Sequence, residues 1–287
     1  MEKYILFTDS ACDLKPEVLK EWGVENINLS LRFDGDSKRY RNDEMDISVF
    51  YDEMRNGKTA KTSAVNPDEF ANAFENILKD GSDILYLGFS SGLSTTFNSS
   101  RIAAEELKEK YPERKIICVD SLCASAGQGF LLYLAVQKKN EGADIESLAE
   151  YLENIKLSVC HWFTVDDLVY LKRGGRISPT LAFVGAVLGI KPVLHVDNEG
   201  KLVSVTKARG RKAALNALID KFEQLSLNDE KTVFICQADC FADAEFLKEN
   251  LEKKYKTDVK IITDIGPVIG AHAGPGTLAI FFIGKER

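Results

Sequence analysis

Short β-branched or aromatic runs alternate with amphipathic stretches from the start of the chain. Tyr4 to Phe7 precedes Leu14 to Trp22, Asp83 to Phe89 precedes a stretch reaching Tyr111, and Lys115 to Val119 precedes Cys123 to Lys139. Strand-like runs followed by helix-period segments predict β-α-β units with parallel strands. From about Thr96, the apolar Ile102, Ala103 and Leu107 trade places with Lys108 to Lys110, the spacing of an amphipathic helix, and Ile145 to Leu157 predicts another. After residue 160 the pattern changes. Strand-like Val159 to Val165 leads through Leu168 to Lys172 into the turn-like Arg173-Gly-Gly-Arg176, and Lys191 to Val196, Asp197 to Gly200 and Leu202 to Thr206 read as a hairpin. Strands follow near Thr232 to Cys236, Val259 to Thr263 and Leu278 to Ile283. The pattern predicts an α/β protein of two domains: residues 1–160 with a parallel, Rossmann-like sheet, and residues 161–287 with a mixed or antiparallel sheet flanked by helices.

Composition narrows the function classes. The 287 residues are 45% hydrophobic, enough for one large core or two ordinary ones. With 37 Lys and Arg against 44 Asp and Glu the net charge is −7, which offers no basic field for a nucleic-acid backbone. The first residues turn acidic at Asp9 before a signal-peptide core forms, and no apolar run approaches ~18 residues, so a cytoplasmic location is expected. Six cysteines without a CxxC pair read as reduced thiols, and no metal site is implied. Histidine-dependent chemistry has three candidates: His161, His195 and His272.

Four hydroxyl-rich loops lie where strands run into helices: Thr8 to Asp13, Lys61 to Pro67, Gly88 to Thr96 and Asp120 to Gly129. In an open parallel sheet ligands sit at the carboxyl ends of the strands, and hydroxyls with free amides at a helix N-terminus hold an anion without a lysine. The competing reading is that these Ser, Thr, Asp and Asn residues are helix caps. Gly88-Phe-Ser90-Ser-Gly92 also fits the nucleophile-elbow pattern, and with Asp264 and His272 downstream it admits a serine esterase acting through Ser90. No oxyanion segment of the HGGG type stands upstream of it.

His272 is set among glycines and small residues from Gly266 to Gly276, which leaves its ring open to a cleft, whereas His161 and His195 read as sheet positions. The twelve residues from Pro179 to Ile190 are apolar on nearly every face. They predict a buried helix, or a lining for an apolar ligand beside Leu181, Phe183, Val184 and Leu188. Lys172, Arg173 and Arg176, with Lys207, Arg209, Arg211 and Lys212, form the one concentration of positive charge. It is either a solvated face or a docking surface for an acidic partner.

Taken together these motifs resemble the DegV family of bacterial fatty-acid-binding proteins, and its FakB type in particular. The matching segments are Thr8-Asp-Ser10, Thr62-Ser63, Ser90 to Ser94, Val119-Asp-Ser121 with Ser125, Gly127 and Gly129, Leu171 to Ser178, Ile190-Lys-Pro192, Lys207 to Gly210, and Gly266 to Gly276. The resemblance implies a non-enzymatic lipid carrier without a cofactor. It holds a long-chain fatty acid such as palmitate, carboxylate at the domain interface and acyl chain in an apolar tunnel, and presents it to a fatty-acid kinase. A role in lipid transport or fatty-acid metabolism and a transient membrane contact come with that comparison. By the same comparison Thr62, Ser94 and His272, with Ser91 and Thr95 beside them, would meet the head group. The segment holding Leu181, Phe183, Val184 and Leu188 would line the tail, and Arg173 and Arg209 would face the kinase. Two positions depart from the family pattern: Ala64 stands where Gln is common after Thr-Ser, and Thr95 where Gly is common after Leu-Ser.

Overall fold

The computed structural model describes residues 3–177, 189–227 and 231–287. Four strands, β1 (Tyr4–Asp9), β2 (Val24–Ile27), β6 (Asp83–Gly88) and β7 (Ile116–Asp120), form an all-parallel sheet in the order β2-β1-β6-β7. The central β6 is buried at every position, as expected of a parallel strand covered on both faces. Between β2 and β6 lies a small antiparallel sheet, β4-β3-β5, made of β3 (Ser30–Phe33), β4 (Tyr40–Arg41) and β5 (Ala60–Ser63). This sheet is absent from the sequence reading, because its strands are too short to show a period.

The remaining strands, β8 (Val159–Thr164), β9 (Ile190–Val196), β10 (Leu202–Arg209), β11 (Thr232–Gln237), β12 (Asp258–Asp264) and β13 (Leu278–Ile283), form a six-stranded sheet in the order β10-β9-β8-β13-β11-β12. It is mixed: β11 and β12 run parallel, the other neighbours antiparallel. The mixed sheet and the hairpin of β9 and β10 agree with the pattern of the sequence. Helices α1 (Pro16–Glu21), α2 (Ile47–Arg55), α3 (Pro67–Lys79), α4 (Thr96–Lys110), α5 (Ala126–Asn140) and α6 (Ile145–Ile155) belong with the first two sheets, and α7 (Val169–Arg173), α8 (Arg211–Leu225), α9 (Phe241–Tyr255) and α10 (Pro267–Ala273) follow.

Local sequence explains these elements. Helix α3 opens with a capping box: the Glu69 N–H donates to Asn66 Oδ1 at 2.9 Å, and the Asn66 N–H donates to Glu69 Oε2 at 2.8 Å, with Pro67 at the first helical position. Its buried Phe70, Phe74, Ile77 and Leu78 recur at i, i+4, i+7 and i+8, and each contributes roughly 1.5–3 kcal/mol of burial. The buried Asp9 carboxylate accepts from the Tyr86 hydroxyl (2.6 Å) and the N–H groups of Phe89 (2.9 Å) and Ala11 (3.0 Å), which fastens the end of β1 to the loop after β6.

The six-stranded sheet separates two apolar layers by strand alternation. Ala279 and Phe281 of β13, Phe163 of β8, and Phe234 and Cys236 of β11 join the core that also contains the parallel sheet. Ile280 and Phe282, Trp162, and Val233 and Ile235 turn to the other face, where Leu218 and Phe222 of α8 and Leu247 of α9 cover them. The space between the sheets therefore lies on one face of β8, β11 and β13. Leu181, Phe183, Val184 and Leu188, the residues expected to line an acyl tunnel, lie outside the described residues.

Candidate functional site

A cavity of about 500 Å³ opens between the sheets, at the carboxyl ends of β6 and β7, where a parallel sheet places ligands. Phe89, Phe163, Val196, Ile265, Val268, Ala279 and Phe281 give it a largely apolar wall. Polar groups enter from several elements: Thr62 from β5, Ser91, Ser94 and Thr95 from the loop between β6 and α4, Ser125 from the loop before α5, Arg176 after α7, and His272 from α10.

Thr62 and His272 meet directly: Thr62 Oγ1 is 2.8 Å from His272 Nε2 across 210 residues of sequence. Pairing of β5 with β3, Thr62 opposite Leu31, fixes the threonine. Helix α10 fixes the histidine and is itself tied down by residues from the first sixty of the chain. The Gly266 N–H donates to Asp13 Oδ1 (2.9 Å), the Val268 N–H to Asn42 Oδ1 (2.9 Å), and the Tyr51 hydroxyl to the Ile265 carbonyl (2.7 Å). Glycine here serves close packing more than exposure. A Cβ on Gly270 would stand 2.5 Å from the Tyr51 oxygen, and one on Gly174 would stand 2.1 Å from His272 Nδ1.

Burial, helped by the positive charge of Arg176, depresses the His272 pKa to about 4, so the ring is neutral at neutral pH. Its Nδ1 is buried without a hydrogen-bond partner among the described residues. His161, in β8, also borders the cavity and is neutral for the same reason. Burial drives its pKa well below the usual value, against the opposing effect of its Nδ1–H donated to the Val159 carbonyl (2.9 Å). His195 lies in β9 and stacks on Trp162, ring centroids 5.0 Å apart.

The loop after β6 brings Ser91, Ser94 and Thr95 to the cavity. Ser94 Oγ accepts from the Thr96 N–H at 3.2 Å and lies 2.9 Å from Thr96 Oγ1, so it holds the first residue of α4 from the position before the N-cap, Thr95, while lining the cavity. Ser91 and Thr95 are exposed at the same edge. Ser90 is different. It is fully buried, donates its hydroxyl to the Gly200 carbonyl (2.8 Å) and receives the Gly92 N–H (3.2 Å). Asp264 accepts from the Gln237 amide, and His272 faces Thr62. The Ser90, Asp264 and His272 of the esterase reading are therefore each committed elsewhere, and among the described residues no base stands at the Ser90 hydroxyl to activate it.

The loop before α5 carries strain. Ser125, at φ 54° and ψ −143°, occupies a region that non-glycine residues avoid, and its hydroxyl donates to the buried Asp13 carboxylate and touches Cys236 Sγ. Burial raises the Asp13 pKa to about 7, against the Ser125 and Gly266 donors that favour its charge.

The basic residues divide. Arg173 is exposed and lies over the Tyr170 ring, 5.6 Å from its centroid; Arg209 is exposed on the edge strand β10. Arg211 is paired with Asp243, its Nε 2.8 Å from the carboxylate. Arg176, grouped by sequence with the exposed cations, instead borders the cavity and donates from Nε to the Leu93 carbonyl at 3.1 Å. The pattern Arg-Gly-Gly-Arg gives no sign that its two arginines point to different places.

The family model described as "Uncharacterised protein, DegV family" matches residues 3–285. The chain belongs to the DegV family. Among DegV relatives, a DegV domain-containing protein of Clostridium perfringens is 45% identical over 289 residues, covering 100% of this chain and 99% of the relative. Two solved DegV structures superpose with a TM-score of 0.87: a lipid-binding protein from Thermotoga maritima, at 29% identity with 99% of each chain covered, and a DegV protein from Thermus thermophilus described by its fatty-acid binding, at 28% identity with 98% of this chain and 99% of that one covered. The α/β architecture with a parallel four-stranded sheet and a mixed six-stranded sheet is the DegV fold.

Proposed function

We propose that this DegV protein binds a long-chain fatty acid in the cavity between its sheets and presents it to a fatty-acid kinase. The observation that carries the reading is one cavity with two chemistries: hydroxyls and a neutral histidine gathered at Thr62, Ser94 and His272, and an apolar wall beyond them. An amphiphile with a small polar head matches that division. Each buried CH₂ contributes about 0.8 kcal/mol, so a sixteen-carbon chain gains on the order of 12 kcal/mol before ordering costs, enough to keep the lipid through purification. In this reading Thr62, Ser94 and His272, with Ser91 and Thr95 at the rim, bind the carboxylate. The chain then follows the apolar wall of Phe89, Phe163, Val268 and Phe281.

Lipid binding by the Thermotoga maritima neighbour and fatty-acid binding by the Thermus thermophilus one support the ligand class. Exposed Arg173 and Arg209 supply a basic surface for an acidic region of the kinase. Among the described residues no helix is long and apolar enough to cross a membrane, so any membrane contact in this reading is peripheral.

The test is mass spectrometry of an organic extract of the purified protein, followed by titration of the delipidated protein with palmitate. A co-purified fatty acid and saturable binding are expected; no lipid and no uptake would reject the ligand class. For the second half of the proposal, Arg173→Glu with Arg209→Glu should abolish acyl-phosphate formation in a reconstituted kinase assay while palmitate binding stays intact.

A further inference from the structure

The cavity wall carries a second polar patch, apart from the Thr62–His272 pair. Ser125 and Cys236 line it beside Phe163, Ile265 and Phe281. Helix α10 fixes how far this patch lies from the first. The Asp13 carboxylate takes the Gly266 N–H on Oδ1 (2.9 Å) and the Ser125 hydroxyl on Oδ2, so Ser125 stands at the start of the helix, whereas His272 lies in its last turn. From Gly266 to His272 the helix rises about 9 Å, and Val268 and Ile269 line the cavity along that length. An acyl chain with its carboxylate at the Thr62–His272 pair and its methylenes along α10 therefore meets Ser125 at mid-chain.

What the patch offers is an acceptor. The Ser125 proton is directed to Asp13, so the serine oxygen presents its lone pairs. Cys236 Sγ stands 3.3 Å from that oxygen, and burial raises the Cys236 pKa, which keeps the sulfur a thiol with only weak hydrogen-bonding capacity. The neighbouring His161 Nε2 is taken by the Ala124 N–H at 3.4 Å. A plain methylene chain laid over Ser125 strips its oxygen of water and returns no hydrogen bond, which is unfavourable in an apolar setting. The backbone at Ser125, φ 54° and ψ −143°, suits glycine, so the fold sustains strain to keep a hydroxyl at a position where glycine would relax it.

We propose that Ser125 forms a mid-chain subsite that accepts a hydrogen bond from a ligand hydroxyl, so that the protein takes long-chain hydroxy fatty acids oxygenated near the middle of the chain. The inference rests on the fatty-acid reading above and adds the oxygenated chain to it. The ligand hydroxyl donates to Ser125 Oγ, and Asp13 holds that oxygen in place through its own bond. A keto group at the same carbon has no proton to give and would face the serine lone pairs unpaired.

Stearate, 8- and 10-hydroxystearate and the matching oxo acids separate these contributions in calorimetric titrations of the delipidated protein. The titrations are run at pH 8, above the Asp13 pKa of about 7, where the carboxylate accepts the Ser125 hydroxyl. For the wild type, one of the two hydroxy acids should bind within about threefold of stearate or tighter, and its oxo counterpart on the order of tenfold weaker. Ser125→Gly accepts the backbone conformation and removes the oxygen. It should weaken that hydroxy acid on the order of tenfold while stearate stays within about threefold. A wild type that binds hydroxy and oxo acids equally, or takes stearate and rejects both hydroxy acids, overturns the proposal. Equal loss of hydroxy acid and stearate in Ser125→Gly, or no loss of either, overturns it as well, because Ser125 would then serve only to hold Asp13. Should Ser125→Gly fail to fold by thermal melting, the wild-type comparison of hydroxy with oxo acid decides. A wild-type protein that binds neither stearate nor any of its derivatives rejects the fatty-acid reading itself.

Discussion

Replacing Thr62 with valine is the sharpest perturbation of the proposed head-group site, because it removes one hydroxyl and little else. Valine keeps the β-branched shape that suits position 62 in β5, opposite Leu31, so the strand should persist. The lost hydroxyl stands 2.8 Å from His272 Nε2. Since Nδ1 already lacks a partner, the substitution would strip the imidazole of its one side-chain hydrogen bond among the described residues. A buried polar group left unpaired costs about 1–3 kcal/mol, so the melting temperature of the ligand-free protein should fall. A hydrogen bond to a charged carboxylate contributes about 1.5–3 kcal/mol, which translates to palmitate binding weaker by roughly ten- to a hundredfold. Calorimetric titration of delipidated protein reads the affinity and a thermal melt reads the stability; Thr62→Ser, which restores the hydroxyl, should recover most of both. Palmitate affinity within twofold of wild type for Thr62→Val would refute the placement of the carboxylate at the Thr62–His272 pair.

Three further outcomes follow from the geometry. Gly174→Ala should weaken fatty-acid binding sharply without backbone strain, since Gly174 has φ −71° and its added Cβ would meet His272 Nδ1 at 2.1 Å; a titration indistinguishable from wild type would mean that the imidazole is free to move. Asp13→Asn should stabilise the protein more as pH rises. Burial raises the folded pKa from 3.8 to about 7, so the native state holds a proton that the unfolded chain releases, and wild-type stability declines across that interval by on the order of 2–4 kcal/mol. Asparagine tolerates the left-handed conformation at φ 51°, and melts of both proteins at pH 4 and pH 8 should show the gap widening at the higher pH. Ser90→Ala should lower stability by about 1 kcal/mol through loss of the bond to Gly200 and leave any trace hydrolysis of acyl p-nitrophenyl esters unchanged; hydrolysis abolished by this substitution would reinstate the nucleophile.

The fold was legible where the chain repeats one pattern over many residues. Asn66, Pro67 and Glu69 announce α3, and the switch from alternating helices and strands to a hairpin announces the mixed sheet. The short sheet of β3, β4 and β5 was not legible: Ser30 to Phe33 and Ala60 to Ser63 have four residues each, and their pairing is a long-range fact. That loss matters, because β5 carries Thr62 to His272. At the site, Ser94 could be read as a cap or as an anion donor; its hydroxyl accepts the Thr96 N–H one position before the N-cap, at the cavity wall. Ser90 kept the spacing of a nucleophile elbow, but its environment is set by Gly200 of a hairpin more than a hundred residues away. Nothing in the sequence separates Arg176 from the exposed cations around it, because local sequence encodes charge and not direction. The carbonyls of Leu93 and Gly174 turn it inward, and Leu93 lies far off in the chain.

The alternation of β13 has an evolutionary consequence. Ala279 and Phe281 border the cavity, while Ile280 and Phe282 are interleaved with the helices on the opposite face. Odd positions of this strand therefore shape what the protein can accommodate, and even positions hold its outer layer together. Exchanging Ala279 for a bulkier residue would narrow the cavity without disturbing α8 or α9. A lineage can thus reshape this cavity one odd position at a time, with its scaffold insulated from the change.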